Sequence, residues 1–314
     1  MDKTSLPPIT VVVSTRNREE RILPTIQSIL SNDYPQFELI LVDQSQNGAA
    51  EDVLRPFQTH SHFRYIRTDL RGLSYGRNLG IRKTKNEFIA FTDDDCEVPR
   101  DWLRRLVACF EVDSHIGIVF GDVVPGPHDR TSGFIPATIC PRPFLFKSIY
   151  QKHQVEGISA CMGIRRSAWE EIGPFDEMLG AGAAFQAGEE TDFVIRVLLA
   201  GHFVFETPEV KVLHHGFRTW NQGLSLIDHY WYGTGAVFAK HIKCGHWSVL
   251  FLLIPMAWRW AFGRSRVAWS LGSHPHRLRR LIAFIQGFFV GMINPVDRRQ
   301  CQYVQKRRND QRNI

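Results

Sequence analysis

Short apolar runs alternate with amphipathic helical patterns along the first 125 residues, and this alternation limits the fold more than any other feature. Runs rich in β-branched and aromatic residues predict strands at 9–14, 37–42, 62–67, 87–92 and 116–120. Helical patterns fall between them, at 22–30, 74–83 and 100–110. Near-continuous apolar strands separated by helices predict an α/β fold with a mostly parallel sheet flanked by helices. In such sheets ligands bind beyond the carboxyl ends of the strands.

Three consecutive aspartates follow the fourth predicted strand, in the segment FIAFTDDDCE of residues 88–97. Alternate residues of an extended chain point to the same side, so we expect Asp93 and Asp95 to share a face. Two carboxylates that converge at the end of a strand form a good site for Mg²⁺ or Mn²⁺, with a substrate diphosphate completing the coordination shell. Asp43 ends the second predicted strand and is expected at the same edge of the sheet. The alternative is an acidic loop that caps the next helix.

The regular alternation stops at residue 125. Prolines at positions 125, 127, 136, 141 and 143 predict an irregular connection, and a strand is predicted to follow at 157–164. A segment rich in glycine and alanine, 180–188, then leads into a helix that ends at Gly201. Two short strands, 203–206 and 210–213, come next and end at His214 and His215.

Acidic residues crowd the start of that helix, at Glu189, Glu190 and Asp192. The helix dipole favours acids at a helix N-terminus by about 0.3–1 kcal/mol each, which accounts for one acid more readily than for three in four residues. The flexible segment before them suits a loop that orders when substrate binds.

The C-terminal region, 218–314, is predicted to be helical, apolar and basic. Its apolar stretches, 247–262 and 281–293, are each too short or too interrupted to span a membrane, which takes about 20 apolar residues. Arginine and lysine are frequent near the end of the chain, at Arg277, Arg279, Arg280, Arg298, Arg299, Lys306, Arg307, Arg308 and Arg312. These basic flanks favour helices that lie in a membrane interface over helices buried against the main domain.

The composition is that of a globular protein, with 44% hydrophobic residues and a net charge of +6. The cysteines show no CxxC motif and no metal-ligand spacing, so we expect reduced and mostly buried thiols. The N-terminus has no apolar signal segment, which predicts a cytoplasmic chain, peripheral to the inner face of the cell membrane. The basic residues lack the interleaved aromatic residues of a nucleic-acid platform, so no nucleic-acid partner is expected.

A series of motifs between about residue 8 and residue 217 resembles the inverting glycosyltransferases of family 2, which have the GT-A fold. The motifs are, in order, STRNR, LVDQS, GLSYGRNLGI, FTDDDCE, GEETDFVIRVLLAG and LHH. The resemblance implies a GT-A domain at 1–217, with a nucleotide-binding half at about 8–125 and an acceptor half at about 126–217. It also implies the metal-dependent transfer of a sugar from a nucleotide-sugar donor, with a UDP-sugar favoured. The acceptor would be a hydroxyl of a carbohydrate or lipid-linked precursor, in polysaccharide or glycolipid synthesis of the cell envelope.

The resemblance implies a role for each matched residue. Those implied to bind the nucleotide-sugar are Thr15, Asn17, Asp43, Arg77, Asp93 and Asp94, with Asn78 beside Arg77. Asp93 and Asp95 match the DXD motif that binds the metal, and either His214 or His215 is implied as a further ligand. Glu190 is implied as the base that deprotonates the acceptor, with Glu189 beside it and Asp192 as the alternative base. The family usually has Gly-Glu-Asp where this chain has Gly188-Glu189-Glu190, so the longer Glu requires a small shift of backbone or acceptor.

Two other functions stay open at this point. A nucleotidyltransferase can use a similar sheet and paired acids, but it usually carries a glycine-rich loop after the first strand, and residues 15–18 contain no glycine. A non-catalytic scaffold that binds membrane through its basic tail would not require Asp93, Asp95 or Glu190.

Overall fold

The computed structural model describes residues 6–46, 49–256 and 276–305. The first half alternates strands and helices, as β1 (Ile9–Thr15), α1 (Leu23–Leu30), β2 (Phe37–Asp43), α2 (Ala49–Leu54), β3 (Phe63–Arg67), α3 (Leu73–Arg82), β4 (Phe88–Phe91), β5 (Cys96–Glu97), α4 (Trp102–Glu111) and β6 (Ile116–Pro125). The second half comprises β7 (Gly133–Phe134), β8 (Phe144–Phe146), β9 (Met162–Arg165), α5 (Arg166–Ile172), α6 (Glu189–Leu199), β10 (Phe203–His214), β11 (Arg218–Thr219), α7 (Trp220–Lys243), α8 (His276–Ile293), β12 (Val296–Asp297) and β13 (Gln302–Tyr303).

The main sheet has the order β3-β2-β1-β4-β9-β6-β10-β5, and β8 pairs with β10. Strands β1, β2, β3, β4, β6 and β10 run in one direction, whereas β9, β5 and β8 run against them. The predicted α/β fold with a mostly parallel sheet is therefore confirmed. The register places Thr15 opposite Asp43 and His214 opposite Pro125, so the carboxyl ends of these strands share one edge.

Alternate residues of each central strand enter the two hydrophobic layers of the protein. Val11 and Val13 of β1 belong to the layer beneath α1 and α4. Val12 of β1 and Phe91 of β4 belong to the layer beneath α6 and α7. Burial on both faces explains why these strands read as continuous apolar runs.

The structure differs from the sequence prediction in the second half of the sheet. The predicted strands at 203–206 and 210–213 are a single strand, β10, whose pairing with β6 is interrupted between Thr207 and Lys211. Pro208 lies in this interruption, and proline has no N–H to donate to the strand ladder. The strand predicted at 157–164 begins only at Met162, because residues 159–161 form a 3-10 turn. Helices α2 and α5 were not predicted, since six or seven residues are too few to show a helical period.

The C-terminal helices α7 and α8 pack closely against each other. A Cβ atom on Gly287 would lie 1.9 Å from the backbone oxygen of Tyr232, and one on Gly235 would lie 2.1 Å from that of Phe284. Glycine at these positions therefore allows the two backbones to approach. Helix α8 buries this face against α7 and leaves Ile282 and Phe289 exposed on the other. One face therefore fits a helix packed on the protein, and the other fits a helix that lies in a membrane interface.

Some predictions for the C-terminal region fall on residues that are not described. In the apolar stretch 247–262, residues 247–252 form a 3-10 helix and 257–262 lie outside the described residues. The basic residues Lys306, Arg307, Arg308 and Arg312 also lie outside them. Among the helices that the structure describes, none has both the length and the apolar character needed to cross a bilayer. The domain division at residue 217 stays a prediction.

A buried group of charged residues joins α6 to α7. Asp192 on α6 accepts hydrogen bonds from Lys240 Nζ at 2.6 Å, from His241 Nε2 at 3.0 Å and from Arg196 Nη2 at 2.9 Å. Lys240 Nζ also lies 2.7 Å from Asp176. Burial alone would raise the pKa of Asp192, but Arg196 and Lys240 outweigh it and hold that pKa below its ordinary range. Since this carboxylate is fully enclosed by cations, the implied role of Asp192 as an alternative base is not supported.

We predict that Lys240→Met lowers the free energy of unfolding by about 3–5 kcal/mol, because it leaves buried Asp176 and Asp192 without a shared cation. Urea unfolding followed by tryptophan fluorescence measures the change. The exposed pair Arg279–Asp228, at 2.5 Å, provides the control. Asp228→Asn should change stability by at most about 1 kcal/mol. Equal effects of the two substitutions would contradict the importance of the buried group.

Candidate active site

The middle aspartate of the triplet anchors the loop after β1. Thr15 Oγ1 donates to Asp94 Oδ2 at 2.7 Å, and Arg18 Nε donates to Asp94 Oδ1 at 2.9 Å. Arg18 Nη2 also reaches Asp95 Oδ2 at 2.8 Å. Burial raises the pKa of Asp94 to about 6, against the opposing effect of Arg18. Both oxygens of Asp94 are thus used inside the protein, and the contacts of Asp94 and Thr15 with a donor stay predictions.

Asp95 faces His214 across the edge of the sheet. The distance from Asp95 Oδ1 to His214 Nε2 is 3.2 Å. The other ring nitrogen, Nδ1, lies 2.8 Å from the backbone oxygen of Pro136, and only a protonated Nδ1 can donate to that oxygen. His215 points elsewhere: it is exposed, and its Nε2 lies 2.7 Å from Glu97 Oε1. Of the two histidines that the sequence left open, His214 is therefore the one beside the aspartates.

The space next to this pair suits a divalent cation. A Cβ atom on Gly216 would lie 2.4 Å from His214 Nε2 and 3.0 Å from Asp95 Oδ2, so glycine keeps this space open. A carboxylate oxygen and an imidazole nitrogen are compatible with Mn²⁺. Cys96 Sγ also lies within 4.8 Å of the ligand atoms, but burial raises the pKa of this thiol well above its ordinary value. The residues present thus fit a metal held by Asp95 and His214.

Arg77 links the aspartates to the start of α6. Its Nη2 lies 3.9 Å from Asp93 Oδ1, and its Nη1 lies 3.5 Å from Glu189 Oε1. The guanidinium is buried, 5.7 Å from the ring centre of Phe91 and 5.8 Å from that of Phe175. Arg77 therefore links these two carboxylates, and its implied place at the nucleotide stays a prediction.

Asn78, next to Arg77, has a structural role in this fold. Its amide nitrogen donates to the backbone oxygen of Phe175 at 2.8 Å, and its amide oxygen accepts from the backbone N–H of the same residue at 2.9 Å. This pair of bonds holds α3 against the loop after α5.

Glu189 and Glu190 begin α6, directly after Gly188 in a left-handed conformation with φ of 97°. Glu190 Oε1 accepts a hydrogen bond from the backbone N–H of Ser159 at 2.7 Å. Burial and the neighbouring charge of Glu190 raise the pKa of Glu189 to about 7, although Arg77 acts against them. Burial also raises the pKa of Glu190. Carboxylates with raised pKa values in a cleft are suited to accept a proton near neutral pH.

The ends of β1 and β2 meet at Asp43. Its two oxygens accept hydrogen bonds from Tyr65 Oη at 2.7 Å and from the backbone N–H of Ser45 at 2.8 Å. The second bond is the Asx turn that a strand-end aspartate commonly makes. Asn17 lies in the same region, with φ of 55°, and its backbone N–H donates to Ser45 Oγ at 2.7 Å. The contacts of Asp43 and Asn17 with a nucleotide stay predictions.

Several side chains of the site were not predicted. Arg18 belongs to the STRNR motif, but the resemblance implied no role for it. Burial and the charges of Glu190, Glu189 and Asp93 raise the pKa of Tyr230 on α7, which indicates that its hydroxyl lies near these acids. Burial acts to raise the pKa of Asp95, but His214, Arg18 and, to a smaller extent, Arg218 lower it. Tyr230 and Arg218 follow the last matched motif, so no sequence signal connected them to the site.

Comparison with known proteins identifies the family. The model described as glycosyl transferase family 2 matches residues 10–173, about half of the chain. This chain belongs to glycosyl transferase family 2. The family that the motifs resembled is therefore confirmed, and the match covers Asp43, Arg77 and the aspartate triplet but ends before α6.

Two similar relatives come from Haloferax volcanii. Glycosyltransferase AglE is 26% identical over 189 residues, which cover 57% of this family 2 chain and 59% of the relative. Glucosyl-dolichyl phosphate glucuronosyltransferase is 25% identical over 220 residues, which cover 67% of this chain and 70% of the relative.

Two solved structures share the fold. The crystal structure of S. aureus TarS 1-349 has a TM-score of 0.62 at 14% identity and covers 91% of this chain and 81% of that chain. The mannosyltransferase PcManGT from Pyrobaculum calidifontis, in complex with GDP-Man and Mn²⁺, has a TM-score of 0.58 at 19% identity and covers 92% of this chain and 88% of that chain. These similarities confirm the predicted GT-A type of fold for this family 2 member.

Proposed function

We propose that this protein is a metal-dependent, inverting glycosyltransferase that moves a sugar from a nucleotide-sugar to an acceptor hydroxyl. The proposal rests on one observation: two acidic side chains contact the same buried cation. Asp93 and Glu189 both lie within 4 Å of Arg77 at the carboxyl edge of the sheet, in a chain of glycosyl transferase family 2. The relative PcManGT, described with GDP-Man and Mn²⁺, supports a nucleotide-sugar donor and a divalent metal.

Asp95 and His214 would hold the metal, with Asp93 completing the DXD motif. When bound, the ion supplies Lewis-acid stabilisation of the departing nucleoside diphosphate. Arg18 fixes the orientation of Asp95, and the hydrogen bond to Pro136 keeps His214 Nε2 directed at it. Asp43 and Asn17, at the ends of β2 and β1, are assigned to the nucleotide. We favour a UDP-sugar as donor.

Glu190 is assigned as the general base. An inverting transfer is a single displacement, in which the acceptor hydroxyl attacks the anomeric carbon as its proton passes to a base. Ser159 holds Oε1 of Glu190, so the other oxygen is assigned to receive the proton. Glu189 acts beside it by balancing the charge of Arg77.

The acceptor is proposed to be a carbohydrate or lipid-linked precursor at a membrane surface. The name of the relative glucosyl-dolichyl phosphate glucuronosyltransferase refers to a lipid-linked sugar. In this chain, large apolar side chains are exposed on the 3-10 helix, on the helical residues 253–256 that follow it and on α8, at Trp247, Phe251, Ile254, Leu278, Ile282, Ile285, Phe289 and Ile293. Arg277 and Arg279 are exposed at the start of α8. Apolar side chains flanked by arginine are typical of helices that lie on an anionic bilayer.

We expect His214→Ala to weaken Mn²⁺-dependent UDP binding at least about 10-fold, because it removes a metal ligand. His215→Ala is the matched control, since its exposed ring contacts Glu97 and should leave binding unchanged. Isothermal titration of UDP with and without Mn²⁺ measures both variants. Equal binding by His214→Ala and the wild type would overturn the metal assignment. A thermal-shift screen of nucleotide-sugars with Mn²⁺ would identify the donor.

Glu190→Gln should retain donor binding and lose transfer by a factor of about 10²–10⁴, which is the usual contribution of a general base. The amide still accepts from Ser159 but takes no proton from the acceptor. Turnover is measured with the donor found in the screen, alongside its binding constant. If the variant keeps most of its turnover, the base lies at another residue.

The membrane contact predicts that the full chain floats with vesicles of anionic phospholipid and not with neutral vesicles. Phe289→Glu combined with Ile293→Glu should abolish flotation, because both side chains are exposed on α8, at 63% and 82%. Val112→Glu, at a similar exposure of 63% beyond the end of α4, is the control. Flotation that survives the double substitution would show that α8 is not the contact surface.

A further inference from the structure

Two histidines and two cysteines meet at the end of α7, away from the proposed active site. His241, Cys244 and His246 lie along the sequence HIKCGH, and Cys301 comes from the turn between β12 and β13. His241 Nδ1 lies 2.9 Å from His246 Nδ1, and Cys301 Sγ lies 3.8 Å and 3.9 Å from these two nitrogens. Cys244 lies beside them, since the Cys301 thiol lowers the pKa of the Cys244 thiol and Cys244 in turn raises the pKa of Cys301. We call these four residues the His-Cys cluster.

The spacing of the cluster resembles that of a tetrahedral zinc site. Zinc binds histidine nitrogen at about 2.0–2.1 Å and cysteine sulfur at about 2.3 Å. In a tetrahedron these bond lengths place two nitrogens about 3.3 Å apart, and a nitrogen and a sulfur about 3.6 Å apart. The distances among His241, His246 and Cys301 differ from these values by only a few tenths of an ångström.

The neighbouring Asp192 fixes the orientation of one histidine. Its carboxylate is held by Arg196 and Lys240, so it can only accept, and His241 Nε2 must donate to it. In neutral His241 the lone pair is then on Nδ1, which points at His246 and Cys301. A histidine that donates to a carboxylate through one nitrogen and presents the other is the usual arrangement around bound metals.

The backbone also directs a thiol into the cluster. Cys301 has φ of 50°, a left-handed conformation that is uncommon for residues other than glycine. The preceding turn is held by Asp297 Oδ1, which accepts from the backbone N–H of Arg299 at 2.9 Å. Residues in this conformation persist where surrounding contacts determine them.

We propose that the His-Cys cluster binds one Zn²⁺ as a structural site that fastens the β12–β13 hairpin to the end of α7. The ligand atoms of His241, His246 and Cys301 lie within 4.8 Å of one another, and Cys244 would supply the fourth. A site with four protein ligands has no open position, which is typical of structural rather than catalytic zinc. Binding releases the two thiol protons to solvent and places the remaining proton of His246 on Nε2. Because His241 also contacts Asp192, the ion would stabilise the packing of α7 on α6, the helix that begins with Glu189 and Glu190.

A disulfide between Cys244 and Cys301 is the alternative to zinc binding by these two thiols.

The test of the zinc site uses the full chain, expressed in zinc-supplemented medium and purified under reducing conditions without chelator. Elemental analysis by mass spectrometry should find one zinc per chain. After removal of zinc, titration with Co²⁺ should produce a thiolate-to-cobalt charge-transfer band and strong tetrahedral d–d absorption.

Matched variants locate the ion. Cys301→Ser and the milder Cys244→Ser should lose zinc and the charge-transfer band, whereas Cys109→Ser, which alters a buried thiol on α4, should keep both. Asp95→Asn should also keep them, which separates this site from the metal of the transfer reaction. Circular dichroism checks that each variant is folded. The cobalt spectrum of the wild type tests the site even if a variant fails to fold.

The proposal is overturned if the reduced wild type binds neither zinc nor cobalt, or if zinc stays in Cys301→Ser and leaves in Asp95→Asn. It is equally overturned if alkylation under denaturing conditions shows a Cys244–Cys301 disulfide in metal-free protein. None of these results depends on transfer activity, so the failure of this proposal is distinguishable from the failure of the proposed function.

Discussion

The buried guanidinium of Arg77 brings two acidic groups of the proposed active site together, those of Asp93 and Glu189. Burying a charge is costly unless it is paired, and this applies to the cation as much as to the carboxylates. Arg77 comes from α3, Asp93 follows β4, and Glu189 begins α6, so one cation connects three elements that are distant in the chain. Without it, burial and mutual repulsion would push the acids apart or leave them protonated.

Helix α6 extends this arrangement to the C-terminal region. Glu189 contacts Arg77 near the sheet edge, whereas Asp192, about one turn later, contacts Lys240 and His241 on α7. The same helix therefore contributes to the proposed active site on one side and to a buried structural group on the other. Tyr230 in the middle of α7 and His241 near its end show that this helix supports both. This dependence explains why α7, which lies beyond the recognisable motifs, packs against α6.

The fold was predictable because its signals are local. The strands β1, β2 and β4 carry mainly apolar runs, since both of their faces are buried, and α6 ends shortly before Gly201, where φ is 86°. The aspartate triplet was recognisable for the same reason: three adjacent charges after an apolar strand are unusual in any context. The different contacts of the three aspartates were not predictable. Asp94 turns inward to Thr15 and Arg18, Asp93 lies by Arg77, and Asp95 faces His214, because their partners come from remote parts of the chain.

The class of fold, the edge of the sheet at which acids gather and the family to which the chain belongs are predictable from the amino-acid sequence alone. These follow from hydrophobic periodicity and short motifs, which depend only on neighbouring residues. Only the folded chain shows that His214 rather than His215 faces Asp95, that Asp192 is enclosed by Lys240 and Arg196, and that Cys301 meets HIKCGH across more than fifty residues. Spacing among cysteines alone gave no sign of that cluster, since half of its side chains are histidines and its last member arrives with a separate hairpin. Such contacts arise only when packing brings distant segments together, and no local pattern records them.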